Sequence, residues 1–332
     1  MNRFDTNSTE ATVSHEEQLR DTVSAGGFSG DRIFRMITLG FALSIILILL
    51  LITLGMAFES IPALKQFGWR FIIGSDWDAV QGQFGALPYI WGSIVSALLA
   101  IVAATPLAVG TALFITEIAP KKLGGAIASL VELLAAIPSV IYGLWGILVM
   151  IPWLQQTVEP FLVDHFGFLP LFRGAPYGVG MLAAVMIIMI MIIPIITSIT
   201  KEVLLTVPVS QKEAAVALGA TKWETIRMAV LPYGRSGILG AVVLGLGRAI
   251  GETMAVTMVI GNTPQISLSL LDPAYTMPSV IANEFAEASS KLHSAALMEI
   301  GLILLVMTLL INITARVLIW GVSRQGAAGG HI

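Results

Sequence analysis

Six stretches of this chain are long and apolar enough to cross a lipid bilayer, and no other feature restricts its folding as strongly. They run roughly over residues 34–58, 88–116, 126–152, 176–200, 236–261 and 297–320. Each meets the requirement of about 20 mostly apolar residues for a helical crossing. Backbone polar groups find no water in hydrocarbon, so each segment must satisfy them internally. None shows the alternation of a barrel strand, and α-helices are therefore expected throughout. Composition agrees, with 56% hydrophobic and 12% charged residues, against about 25% charged in a soluble domain. The fold class is all-α membrane protein with six transmembrane helices. Pro106, Pro138 and Pro194 interrupt three of the stretches.

Several functions are excluded or disfavoured by content. The chain has no cysteine, which removes disulfides, thiolate metal sites and a cysteine nucleophile. His15, His165, His293 and His331 stand alone, with no pair at metal-ligand spacing, and neither metal nor cofactor is expected. Basic residues are few and never interleaved with aromatics, so nucleic acid is not an expected partner. Membrane lipid is.

Residues 1–31 are polar and read as a disordered tail, with no apolar core of a signal peptide behind a basic start. The membrane-spanning body would then cover 32–322, followed by a short tail at 323–332. Lys65, Arg70, Arg173 and Lys291 fall on one side of the membrane. Lys121, Lys122, Lys201, Lys212, Lys222, Arg227, Arg235, Arg316 and both tails fall on the other. The positive-inside bias therefore puts both termini in the cytoplasm. The outward loops, about 59–87, 153–175 and 262–296, carry Trp69, Trp77, Asp76, Asp78, Asp272, Glu284 and Glu287. They suit either an external partner or interfacial packing.

The cytoplasmic loop at 201–235 is far longer than a connection requires. It reads as two short helices around a turn. Ser210 with Glu213, and Thr221 with Glu224, have capping-box spacing, Gly219 is placed to end the first helix, and Pro232 to stop the second. Ala214, Ala215, Ala217 and Leu218 make a small apolar face that suits a groove in a partner, or else the membrane surface.

Glu213-Ala214-Ala215, Gly219 and Leu231-Pro232 resemble the EAA signature of bacterial ABC-importer permeases, with Ala229 where that signature usually has isoleucine. The stretches FGALPYIWGS, ELLAAIPSVIYGLWG, LGLGRAIGETMAVTMVIGN and ANEFAEA, in this order, are similar to the PstC-type permeases of phosphate importers. The resemblance implies a type I ABC-importer permease. It also implies a PstA-like second permease, two PstB-like ATPase subunits and a PstS-like phosphate-binding protein. Glu213, Ala214, Ala215, Gly219, Leu231 and Pro232 would then couple to the ATPase. No GxxxxGK[ST] loop is present, and GLGRAIGET lacks its lysine, so ATP hydrolysis is expected on another chain. The chain is not expected to be an enzyme itself.

Arg248 and Glu252 lie in the fifth apolar stretch, where a charge near the bilayer centre costs roughly 2.5–3.5 kcal/mol on insertion scales. Their i,i+4 spacing predicts one shared helix face. They are read as a structural lock, as a lining of the substrate path, or as a gate that re-pairs during transport. Glu132, expected inside the third span, is a further path candidate or an interhelical hydrogen-bonding group. Glu299 is expected at the solvated outer end of the sixth span. Gly245, Gly247 and Gly251 predict close helix packing. Competing readings are an importer of sulfate or molybdate, an ion-driven transporter and a sensory subunit.

Overall fold

The computed structural model describes residues 28–328. Six helices in it are long and apolar enough to cross a membrane. Helix α1, Phe28–Phe67, belongs to two compact units that divide after Phe58. In the first unit it is apolar on every side, with Ile37, Phe41, Leu47 and Leu51 all more than half exposed. A helix greasy all round, with no polar face, is a membrane span. The segment 1–31 falls outside the described residues except for 28–31, which form the first turn of α1.

The second unit begins at Glu59, where α1 continues with Ser60 and Ala63 buried. A short helix α2 (Arg70–Ile73) leads to a hairpin of β1 (Trp77–Asp78) and β2 (Gln83–Phe84), with Trp77 opposite Phe84. The second span is α3 (Leu87–Leu113), and α4 (Lys121–Ala135) follows it. The third span comprises α5 (Ser139–Trp145), α6 (Ile151–Trp153) and α7 (Glu159–Phe166). The fourth is α8 (Met181–Leu205). After α9 (Val209–Ala217), α10 (Lys222–Thr225) leads into α11 (Leu231–Gly251), the fifth span. Helices α12 (Met254–Val259) and α13 (Met277–Glu284) precede the sixth span, α14 (Lys291–Ala328).

Helix α8 is the centre of the main core. Its Ala183, Ala184, Ile187, Ile188, Ile192 and Ile196 are buried, against Ala97, Ala100, Ala104 and Ala108 of α3 and Ala241 and Ala249 of α11. Alanines three and four apart on α3 bring the backbones close, as small residues do wherever helices meet in lipid. A second cluster, with Phe71, Phe84, Tyr89, Tyr275, Met277, Leu297 and Ile300, joins the hairpin to the start of α3, to α13 and to α14.

Gly92 on α3 is where these parts come closest, because a Cβ there would land on the Tyr275 carbonyl oxygen. Gly92→Ala is expected to lower thermal stability by about 1–3 kcal/mol, the usual range for forcing atoms into a packed interior. Gly110→Ala, in the same helix but with nothing within 4 Å of the added Cβ, is expected to be neutral or to stabilise by about 0.5–1 kcal/mol. Thermal unfolding of the detergent-solubilised variants compares the two.

Four helices widen into a π turn, at Phe114–Ile118, Gly146–Met150, Leu154–Val158 and Ile226–Val230. Each ends two residues before a proline: Pro120, Pro152, Pro160 and Pro232. In each, the residue just before the proline donates its N–H five residues back, Ala119 to Phe114, Ile151 to Gly146, Glu159 to Leu154 and Leu231 to Ile226. Proline brings no N–H and its ring collides with the carbonyl four residues earlier. Before Pro120 the helix ends, with Ala119 extended at ψ 143°; at Pro152, Pro160 and Pro232, where the helix continues, a wider turn relieves both problems. This corrects the expectation that Pro232 stops a helix, since the helix runs through it into α11.

Two span boundaries also move. The third span begins at Ser139, after a break at Ile137-Pro138, because a residue preceding proline is held away from the α conformation. It then extends to Phe166, through residues expected in a loop. The fifth begins in the cytoplasmic-loop sequence at Lys222 and ends at Gly251.

Candidate functional site: a docking segment and a broken helix

The 201–235 segment forms the two-helix turn expected of it. Helix α9 ends in paired bonds, Ala220 N–H to Ala215 O at 3.1 Å and Gly219 N–H to Val216 O at 2.9 Å. This is the Schellman closure, and it needs the left-handed backbone that Gly219 adopts at φ 86°. Thr221 and Glu224 make a reciprocal capping box at the start of α10. Ser210 does not cap α9, because Pro208 already occupies the cap with its φ fixed near the helical value, leaving Ser210 inside the first turn. Val207 and Val230 are buried with Leu204 and Ala112, which fixes both ends of the segment to spans two and four.

What remains outside is apolar. Leu218 is 90% exposed, and Trp223, Met228 and Tyr233 are also exposed. Between α9 and the start of α11 lies an open groove of about 920 Å³, lined by Ala214, Ala215, Leu218, Gly219, Met228 and Pro232 among others. Glu213 is exposed beside it, and Leu231 is half-buried. Five of the six expected coupling residues thus line or flank one concavity, and Leu231 sits immediately before its Pro232 wall.

Arg248 and Glu252 do not share a helix face. Helix α11 ends at Gly251, and Glu252 turns extended at φ −68°, ψ 125°. Its carboxylate instead receives the Ala255 N–H at 3.4 Å, at the opening of α12. Thr253 donates its hydroxyl to Gly251 O at 3.2 Å across the break. Glu252 reads as an i+4 partner only if the helix continues, and α12 is a separate element. Arg248 is exposed and, among the described residues, has no hydrogen-bond or ion-pair partner. Tyr142 donates to Leu134 O at 2.8 Å, spanning the Pro138 break with its side chain.

The glycines around Arg248 divide in role. A Cβ on Gly245 would strike Ile196 at 2.8 Å, so this face of α11 is packed on α8; Gly247 and Gly251 have nothing within 4 Å. Leu244, Arg248 and Gly251 are exposed and form a strip at i, i+4, i+7. Close packing is therefore confined to Gly245.

Glu132 is not inside a span. It lies on α4 with its side chain 57% exposed, paired with Lys201 at the end of α8 at 3.0 Å, and Lys201 also holds Glu202 at 3.2 Å. Glu299 is not solvated either. It is 7% exposed, and its Oε2 has no partner among the described residues.

On the loop side of the molecule, several expected docking residues serve structure. Glu284 Oε2 accepts from Trp77 Nε1 at 2.9 Å and lies 3.0 Å from His293 Nε2. Asp78 accepts the Val80 and Gln81 N–H groups of the hairpin turn, and Asp272 accepts from the Ser267 hydroxyl. Burial pushes the Tyr275 phenol up to about 12, although the Asn283 amide bonded to it acts in the opposite direction. Glu287 and Trp69 remain exposed. Sequence reasoning missed the buried Glu159, whose Oε2 accepts the Gly178 N–H at 2.7 Å. It also missed the Glu117–Lys212 ion pair of 2.6 Å. Nothing local marks either residue, since their partners lie 19 and 95 residues away.

Residues 104–323 match the family model of the binding-protein-dependent transport system inner membrane component. The phosphate transport system permease protein PstC of Mesorhizobium japonicum is 46% identical over 302 residues, 90% of this chain and 92% of that one. The protein of the same name from Haemophilus influenzae is 43% identical, over 87% and 93%. A probable phosphate transport system permease protein PstC of Methanocaldococcus jannaschii is 37% identical, over 84% and 90%. Among solved structures, a bacterial alginate ABC transporter in complex with an alginate pentasaccharide-bound periplasmic protein has a chain with TM-score 0.56 at 18% identity, covering 84% of this chain and 92% of that one. The MetNI methionine ABC transporter in an inward-facing form gives 0.50 at 20% identity, over 72% and 94%. The fold is thus that of ABC-importer permeases. A chain matched along most of its length by that family model and by these relatives belongs to the binding-protein-dependent transport system inner membrane components, as a multi-pass inner-membrane permease of the PstC type.

Proposed function

We propose that this chain is a permease subunit of an ATP-driven importer of inorganic phosphate. The observation that carries this reading is Arg248, an unpaired charge at a helix break in a chain whose relatives are named for phosphate transport. A guanidinium offers a planar donor fork that matches two phosphate oxygens at once. Glu252, four residues on, limits how tightly a divalent anion is held, so that it can leave. Glu132 completes the proposed path from its ion pair with Lys201.

In this reading both termini and the 201–235 segment face the cytoplasm. A PstA-like second permease covers the strip of Leu244, Arg248 and Gly251, where the open space beside Gly247 and Gly251 leaves room for it. Two PstB-like ATPases hydrolyse ATP, one of them gripping the α9–α10 turn. A PstS-like protein delivers phosphate at the outward loops. ATP binding draws the ATPases together, α9 moves with them, and the spans alternate between outward and inward openings.

The test is ATP-dependent uptake of labelled phosphate at low external concentration, in cells with and without this chain, with excess sulfate present. Uptake that vanishes without the chain and ignores sulfate is the expected result. Uptake that persists without it, or that sulfate suppresses, removes phosphate as the cargo.

A further inference from the structure

Helix α9 has no buried residue. A helix that buries nothing has no apolar hold on the body it sits against, so its position must be set by its chain connections and by whatever polar contacts it makes. Its side-chain link to a span, among the described residues, is Lys212 Nζ to Glu117 Oε1 at 2.6 Å. Lys212 and Ala215 are the half-buried residues of α9, three apart and therefore on one face; Glu213, Ala214 and Ala217 are exposed. Ala215 also borders the open groove, so the side that meets the body and the side left open to a partner adjoin along it.

Glu117 occupies the π turn that ends span two, and its side chain is only 12% exposed. The wide turn is stiffened from several sides. Ala119 N–H closes it onto Phe114 O at 2.8 Å, the Thr116 hydroxyl bonds Ala112 O at 3.0 Å, and Gly124 of α4 lies so close that a Cβ would meet Ile115 O at 2.9 Å. Such single wide turns recur at functional positions. Chain connectivity joins α9 to spans four and five. The ion pair adds a direct link from α9 itself to span two, 95 residues earlier, beside the packing of the flanking Val207 and Val230 on Ala112.

We propose that the Lys212–Glu117 pair is the link by which displacement of α9 is passed to span two, and that both are positioning residues for transport. The inference rests on the reading of α9 as the ATPase-docking element. A partly dehydrated ion pair suits this task, because a direct, directional contact moves both helices together, whereas an apolar surface would let them slide.

The complete importer, reconstituted in proteoliposomes with its ATPase and phosphate-loaded binding protein, gives two readouts: ATP hydrolysed and labelled phosphate taken up. Lys212→Met and Glu117→Gln are expected to retain co-purifying ATPase and stimulated hydrolysis. Phosphate moved per ATP is expected to fall roughly 5- to 20-fold, the scale of a typical coupling between sites. Lys212→Arg, and the exchanged double variant Glu117→Lys with Lys212→Glu, are expected to restore most of that ratio. A ratio unchanged in the single variants overturns the proposal, as does an exchanged variant no better than they are. A merely structural role would reduce the amount of complex and leave the ratio intact, and that result also counts against it. Should the unaltered chain fail to retain the ATPase, the docking reading falls and takes this proposal with it.

Discussion

Arg248→Gln is expected to reduce phosphate uptake by roughly 10- to 100-fold, the scale of losing hydrogen bonds to a charged group, while the amount of protein in the membrane stays level or rises. The two effects have opposite signs for a physical reason. Arg248 is exposed on a spanning helix with no ion-pair partner among the described residues. Replacing it removes an insertion cost of roughly 2.5–3.5 kcal/mol, so a drop in uptake cannot be charged to poorer assembly. Arg248→Lys is expected to fall between the two, since an ammonium keeps the charge but loses the planar fork. Uptake of labelled phosphate, normalised to protein in isolated membranes, decides. Full uptake by the glutamine variant would leave the arginine without a part in transport.

Leu218→Lys is expected to weaken retention of the ATPase by about 30-fold or more, the consequence of losing a contact worth at least ~2 kcal/mol at an interface centre. Leu218 is 90% exposed and sits just past the end of α9. It contributes little to the fold of this chain, and a lysine at a helix C-terminus is favourable by about 0.3–1 kcal/mol through the helix dipole. Stability and docking are therefore separated by one substitution. Co-purification of the ATPase with the variant permease, alongside its thermal unfolding, measures both. Unchanged retention would move the docking surface off this segment.

The parts of this structure that were legible in the sequence are those decided locally. Hydropathy alone located the spans, because each must satisfy its own backbone in lipid whatever its neighbours do. Thr221 with Glu224, and Gly219 at a helix end, were readable because capping is settled within a few residues. Pro138 was recognised as a break, but its effect was underestimated, and Glu132 was placed in a span that starts seven residues later. The Arg248–Glu252 spacing misled for a related reason: nothing in GLGRAIGETMA announces that the helix stops at Gly251, and the shared face vanishes with it. Glu132 with Lys201, Glu117 with Lys212, and His293 with Glu284 and Trp77 meet only through tertiary packing. Their partners lie too far along the chain for any spacing rule. Glu299 shows the limit from the other side, since its distance from the helix end suggested solvation and its neighbours buried it.

The proline-linked π turns bear on how a chain of this kind can change in length. Each holds one residue more than a regular helix would use; at Gly146–Met150, Leu154–Val158 and Ile226–Val230 the helix continues on both sides, whereas after Phe114–Ile118 it ends at the extended Ala119. Losing the one extra residue from a continuous helix, with the following proline replaced by another residue, would restore a regular turn and leave the flanking core-facing side chains on their original sides. Elsewhere in α3, α8 or α11, a single deletion would rotate everything beyond it by about 100° and turn alanine faces such as that of Ala97, Ala100 and Ala104 away from the core. The wide turns within continuous helices are thus three positions at which insertion and deletion act on one turn of helix and stop there.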